Sequence, residues 1–374
     1  LGSNFLRRFF PKEFLLSNAR LLGIDLKKKL KKKEVFNFSL AELRLSSLSF
    51  LAQCKLLYIN RRLISIFKNY NAIISAMAKL ITKASQIDFT LDDIPTMPLP
   101  TEALMVRPLH YAVDYVINPH MADQVGNVDK IEAINEWDLV RSLFNQVGIK
   151  THVIEDHEGL PDMVFCANQS LPFIDEEGKR HVFMSIMHAD QRKDEVPYIE
   201  QWYRQHGYEM HYLDEDKIND FEGCGDAIWH TGRRLLWGGY GFRSSLDAYE
   251  SVSDTFNIPV IALKLVDESF YHLDTCFCVL DKNTVLIYPE AFTSEGMEII
   301  DQIFDKVIHA SKYEAEELFA CNATCPDGRN VIIQQGCTDT NKNLRDAGFS
   351  VHEVSTYEFL KSGGSVFCMK QLLW

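Results

Sequence analysis

The sequence predicts an α/β fold in which five strand-pair-plus-helix units close into a ring, preceded by a basic helical segment. Three observations predict it. From residue 101 onward, hairpin-like strand pairs alternate with helical stretches. A polar residue recurs at one end of each hairpin, at Asn118, Asn168, Asp226, Asp274 and Asn322 and then at Cys368, with intervals of 50, 58, 48, 48 and 46 residues. Each period holds a helix, which the blade of an all-β propeller does not. Finally, residues 104–108 open this region without an upstream partner strand and residues 365–374 end it without a downstream one, so pairing the two closes the circle.

The front of the chain has a different character. The 374 residues carry a net charge of −13, which argues against a nucleic-acid partner overall. Residues 1–90 hold 17 Lys and Arg against 5 Asp and Glu, or +12, and residues 91–374 hold 22 against 47, or −25. Residues 4–90 read as helical. Ser39 and Glu42 fit a capping box, and Leu40, Leu43, Phe50, Cys54 and Leu57 follow at helical spacing, as do Leu63, Phe67, Tyr70, Ile74, Met77 and Ile81. Two readings of this basic segment stay open: a helical extension packed on the body, or a surface for an anionic membrane or an acidic protein partner through residues 4–90. Pro95, Pro98 and Pro100 make a linker, so the expected division is 1–95 and 101–374.

Apolar residues make up 46% of the chain and charged residues 24%, as in a globular protein. No run of 18 apolar residues occurs, and Arg7, Arg8, Pro11 and Lys12 interrupt any leader-like stretch. The nine cysteines form no paired framework, and Cys321 and Cys325 lack a matching ligand pair, so free thiols in a reducing, cytoplasmic setting are expected.

Within the body, the expected hairpins are 163–170 with 181–187, 227–230 with 234–237, 275–280 with 284–288, and 318–323 with 330–334. The turns between them are rich in Gly, Asp and Asn. The expected helices are 129–146, 197–206, 245–256, 296–308 and 338–347.

Three motifs carry candidate chemistry. Cys368 follows Gly363 and Gly364 on a short terminal strand, and glycines let backbone approach a ligand closely. A buried structural thiol is the alternative. His272 and Asp274, two apart, could supply an acid/base and an anchoring carboxylate, or form a hydrogen-bonded core pair. Glu222 and Asp226 bracket a Gly-Cys-Gly turn and could grip a planar cation, or make an acidic turn. Together they fit a guanidinium, which offers five donors and resists attack at its central carbon. Acting on it needs acceptors to hold the fork, a strong nucleophile and an acid for the departing amine.

At these residues the body resembles the guanidino-group-modifying, five-bladed ββαβ propeller (pentein) superfamily of arginine deiminases, dimethylarginine hydrolases and amidinotransferases. The stretches 113–119 (VDYVINP), 162–168 (DMVFCAN), 222–226 (EGCGD) and 239–243 (GYGFR) are similar, in order, to its arginine dihydrolase branch. The resemblance spans about 105–374. It implies that Cys368 attacks the guanidinium carbon, that His272 protonates leaving ammonia and later activates water, and that Glu222 holds guanidinium nitrogens. It further implies that Asn118 and Asn168 line the site, that Arg243 binds the substrate carboxylate, and that Asp274 orients His272 or grips the guanidinium. Asn168, where deiminases have Asp, marks hydrolysis on to ornithine, carbon dioxide and ammonia rather than to citrulline. One departure stands out: Met187 replaces an arginine expected to help bind the α-carboxylate, with Arg192 as a candidate substitute. If Arg192 does not compensate, agmatine or a protein-bound arginine gains weight as substrate. A non-catalytic binding module is the reading from another class. No cofactor or metal is implied, and a homo-oligomer is a further expectation.

Overall fold

The computed structural model describes residues 79–374, and the helical reading of residues 4–78 lies outside them. In chain order the strands are β1 (Lys79–Ile81), β2 (Glu102–Arg107), β3 (Lys150–Glu155), β4 (Ser170–Ile174), β5 (Arg180–Met184) and β6 (Glu209–His211), then β7 (Ala227–Trp229), β8 (Leu236–Tyr240) and β9 (Pro259–Lys264). They continue as β10 (Phe277–Val279), β11 (Thr284–Ile287), β12 (Lys306–His309), β13 (Asn330–Gln334), β14 (Ser350–Val354) and β15 (Gln371–Leu373). The five longer helices are α1 (Lys130–Gln146), α2 (Val196–Gln205), α3 (Leu246–Phe256), α4 (Ser294–Ile303) and α5 (Thr338–Asp346).

These strands form five small sheets with the orders β15-β2-β3, β4-β5-β6, β1-β9-β8-β7, β10-β11-β12 and β13-β14. Three of the five follow one recipe in chain order: an antiparallel hairpin, then a helix, then a strand returning parallel to the second one. A parallel return needs such a crossover, which is why one helix falls in each unit. The remaining sheets depart in instructive ways. β15 runs antiparallel to β2 with Gln371 opposite Leu104, so the last strand supplies the missing member of the first unit and closes the ring. In the fifth unit the expected strand 318–323 shrinks to a single bridge, Thr324 with Ile332. The segment before it is wound instead, with Phe319 at φ 50 and Asn322 N–H bonded to the Phe319 carbonyl.

Two further expectations change. The helix expected over 296–308 stops at Ile303, because Lys306–His309 extends to pair with β11. The hairpin start expected at residue 163 moves to Ser170, since Pro161–Val164 makes a 3-10 turn.

The division expected near residue 95 is also corrected. Residues 79–81 are a strand at the edge of the third sheet, not helix, in parallel register with Pro259–Ile261. Ile81, Leu91 and Ile94 join the largest apolar cluster. The prolines do not detach this stretch. The Pro95 carbonyl accepts from Arg234 N–H at 2.9 Å, and Met97 N–H donates to the Gly232 carbonyl at 3.1 Å. A proline lacks a donor but keeps its acceptor, so an extended proline-rich strand can still be fastened along one edge. Among the described residues no helix is long and apolar enough to cross a membrane, and the eight cysteines there are free and buried.

Candidate active site

The recurring polar positions acquire a structural meaning. Asn168, Asp226, Asp274 and Cys368 stand one to three residues before β4, β7, β10 and β15, and Asn322 stands just before the bridge at Thr324. Those five are the repeat, one per sheet. Asn118 is not a sixth member. It lies after β2 and caps the 3-10 turn Pro119–Met121, its Oδ1 accepting from His120 N–H at 3.0 Å. Its amide then donates to the Ser362 carbonyl at 2.9 Å. A cleft is lined by Asn118, Asp162, Asn168, Arg192, Arg243, Tyr271, His272, Gly363, Gly364 and Cys368, among others.

Cys368 is buried. Its Sγ–H donates to Asp274 Oδ2 at 3.1 Å and accepts from Asn322 Nδ2 at 3.2 Å. Burial, reinforced by the Asp274 charge, pushes the thiol well above its ordinary pKa. Asn322 organises the whole turn. Its Oδ1 accepts from the backbone N–H of Ser365, Phe367 and Cys368, at 3.0, 3.1 and 3.3 Å. Its amide also reaches the Asp274 carbonyl at 3.0 Å. Gly363 sits at φ +80, where a Cβ would lie 2.8 Å from the Tyr271 hydroxyl and 2.9 Å from Asn118 Oδ1. The glycine pair thus allows the loop to press against its neighbours.

His272 Nε2 donates to Glu222 Oε2 at 2.6 Å, and its Nδ1 faces the Asn168 amide at 3.5 Å. Burial would raise the Glu222 pKa. The hydrogen bond and charge of His272, with Arg243 and Arg192 behind, outweigh it and hold the carboxyl at about 2. His188 N–H closes the other oxygen at 2.9 Å.

Asn168 is oriented by Arg192, whose Nη1 donates to its Oδ1 at 3.1 Å. A guanidinium only donates, so the Asn168 oxygen must face it and the NH2 must face His272. Arg192 itself is spent: it pairs with buried Glu195 and donates to the carbonyls of Asp162 and Phe165. It therefore holds Asn168 and the turn at residues 162–165 from behind. Arg243 donates to Glu222 at 3.4 Å and to the Ile117 carbonyl at 2.6 Å, and stacks over Tyr271.

Asp226 does not line the cleft. Ser244 donates to one oxygen at 2.7 Å and Leu273 N–H to the other at 3.0 Å, so it fixes the turn that presents His272. Burial raises its pKa to about 7. Asp274 lies behind Cys368, likewise raised by burial to about 7. Two oxygens stand out as buried and unpartnered: Asp274 Oδ1 and Asp162 Oδ1. Asp162 and Asn322 are absent from the residues expected to form the site. Asn322 carried a signal, its place in the 48-residue period. Asp162 carried none beyond its place in the motif at 162–168.

The sequence profile of the family described as N,N dimethylarginine dimethylhydrolase, eukaryotic, matches residues 113–373. The chain is 34% identical to the N(G),N(G)-dimethylarginine dimethylaminohydrolase of Mycobacterium tuberculosis, over 71% of this chain and 83% of that protein. It is 36% identical to the bifunctional arginine dihydrolase/ornithine cyclodeaminase ArgZ of Synechocystis, over 71% of this chain and 37% of ArgZ. It thus spans little more than a third of that relative's length. The crystal structure of the ArgZ N-terminal domain, covalently bound to a reaction intermediate, superposes with a TM-score of 0.68 at 35% identity, covering 73% of this chain and 97% of that one. With five ββαβ-type sheets closed by β15, and a family profile matched over 261 residues, the chain belongs to the dimethylarginine dimethylaminohydrolase family of the pentein superfamily, on its arginine dihydrolase branch.

Proposed function

We propose that this chain is a cysteine-dependent hydrolase of the guanidinium carbon and that it carries arginine to ornithine, carbon dioxide and two ammonia, with consumption of two waters. The observation that carries this reading is the orientation of Asn168. Arg192 pins its oxygen and leaves the NH2 turned toward His272, where it can donate to the oxygen of a ureido group. A carboxylate there would repel that oxygen and favour release of citrulline.

In this reading a bound guanidinium donates to the unpartnered oxygens of Asp274 and Asp162 and places its carbon against Cys368. The buried thiol is neutral in the free protein. The arriving cation stabilises the thiolate, so the nucleophile forms only when substrate is present. The sulfur adds to the carbon, and one C–N bond breaks as His272 gives its proton to the leaving ammonia. Glu222 stabilises the imidazolium before that transfer. Water, deprotonated by His272, then displaces sulfur. The ureido product meets the same sulfur a second time: the sulfur adds to the ureido carbon, the C–N bond to the terminal amide breaks as the second ammonia leaves with a proton from His272, and a second water displaces sulfur to give the carbamate of ornithine, which loses carbon dioxide.

A second reading rests on a specific observation. Met187 is buried where an arginine was expected, and the donors of Arg192 are committed elsewhere. Among the described residues that line the cleft, this leaves Arg243 as the arginine for a carboxylate, which favours guanidines that lack one. The experiment is incubation with arginine, agmatine and dimethylarginine followed by separation of products. Ornithine from arginine is expected. Citrulline as sole product refutes the Asn168 argument, and turnover of agmatine alone selects the second reading. For the basic front, the proposal is contact with an anionic surface, tested by salt-sensitive binding of the full chain to anionic vesicles.

A further inference from the structure

On the second sheet, away from the cleft, three ligand-type side chains converge. β5 and β6 pair in parallel with His181 opposite Glu209 and Phe183 opposite His211. Alternate residues of a strand share a face, so His181, Glu209 and His211 project together. His181 Nδ1 lies 3.1 Å from His211 Nε2, and that nitrogen lies 4.0 Å from Glu209 Oε1. The three ligand atoms all fall within 4.8 Å of one another. Tetrahedral zinc with bonds of about 2.0–2.1 Å would hold its ligand atoms roughly 3.3 Å apart; the two imidazole nitrogens are near that spacing, and the Glu209 carboxylate reaches it by a small side-chain movement.

We propose that His181, His211 and Glu209 form a zinc site that ties the edge strand β6 to β5, with water completing the shell.

The surroundings are built for that task. His181 Nε2 meets Asp175 Oδ2 at 3.0 Å. The carboxylate fixes the ring proton on Nε2, so the Nδ1 lone pair faces the cluster, as in carboxylate–histidine–metal arrangements. Asp175 is itself held by the hairpin turn, its Oδ1 accepting from the N–H groups of Glu177 and Lys179. Lys179 engages Glu209 Oε2 and leaves Oε1 toward the histidines. Both rings pack near Phe256 at the end of α3, which limits their rotation. Glu209 is 43% exposed, so one side of the site opens to water. Without metal, a proton on His211 Nε2 bridges the two nitrogens. With metal, His211 carries its proton on Nδ1. Two imidazoles and a carboxylate favour zinc over calcium or magnesium, which prefer oxygen alone.

The test uses the full chain with Cys368→Ser, which removes the thiol of the cleft as a competing ligand. Titration with zinc chloride in a calorimeter is expected to show one ion per chain and a rise in Tm. Cobalt is expected to give the intense visible absorption of a tetrahedral site. Asp175→Asn leaves the three ligands in place and is expected to weaken zinc by about 10–100-fold. His211→Ala is expected to abolish both the heat and the cobalt spectrum, with circular dichroism confirming the fold. Undiminished one-to-one binding in His211→Ala, or no zinc heat with the parent chain, overturns the assignment.

Discussion

Replacing Asn322 by alanine removes one carboxamide and strands two backbone donors. Ser365, Phe367 and Cys368 N–H all reach its Oδ1, at 3.0–3.3 Å, in a fully buried site, but Phe367 N–H also donates to the Asn322 backbone carbonyl at 3.0 Å and keeps that partner. A buried donor left without an acceptor costs about 1–3 kcal/mol, so the two at Ser365 and Cys368 cost about 2–6 kcal/mol. For a chain of this size that corresponds to a fall in Tm of about 3–8 °C. The same turn carries Cys368, and product formation should fall by about 100-fold or more as its position loosens. Asn322→Asp separates the two effects. It keeps an acceptor for the three N–H groups but turns an oxygen toward the Asp274 carbonyl and the Cys368 sulfur, where Nδ2 now donates. That variant should retain the loop and still lose activity. Differential scanning fluorimetry and ornithine quantification read the two separately. An Asn322→Ala protein that melts within about 2 °C of the parent and turns over normally would refute the view that one side chain organises this turn.

Other outcomes follow from the same geometry. Glu222→Gln removes the charge beside His272, so kcat should fall about 100-fold or more, measured by ammonia release. Gly225→Ala would place a Cβ 2.2 Å from Asn168 Nδ2; with Arg192 blocking retreat, the amide should tilt and the citrulline-to-ornithine ratio rise, measured by chromatography. Burial raises Asp226, Asp274 and Glu195 to about 7, so the folded chain binds extra protons below that pH and thermal stability should rise from pH 8 toward pH 5. Glu222 acts in the opposite sense: held at about 2 against an ordinary 4.5, it contributes stability above pH 4.5 that is lost as pH falls toward 2. Melting curves across pH 3–8 should therefore pass through a maximum, and a monotonic profile would contradict the assignment of these buried protons.

Much of the ring was legible because it is written twice, once as alternating strand and helix patterns and once as a spacing. Cys368, His272, Glu222, Asn168, Asn118 and Arg243 converge because they share loops at equivalent ends of successive sheets. What sequence could not supply was direction. Asp226 reads like a ligand-gripping carboxylate beside Glu222, yet both its oxygens face inward to Ser244 and Leu273. Arg192 reads like a substitute carboxylate receptor, yet its donors are committed to Glu195 and backbone carbonyls. Spacing places a residue on a loop; which way it turns depends on partners such as Ser244, Phe165, Asp162 and Leu273, 18 to 47 residues away. The proline-rich stretch misled for a related reason. Prolines signal an interrupted helix, but whether the resulting extended chain floats or docks depends on donors such as Arg234 N–H, which lie far along the sequence.

The pairing of β15 with β2 has a consequence for how the protein comes into being. The proposed nucleophile lies three residues before the strand that shuts the ring, and Asn322, which holds its turn, belongs to the preceding unit. A growing chain can assemble four of the five sheets and still hold neither a complete first sheet nor a reactive thiol. Competence arrives in a single event, when residues 365–373 dock between the first unit of the ring and the fifth. Incomplete chains are thereby silent toward guanidines, and quality control and chemistry share the same final latch.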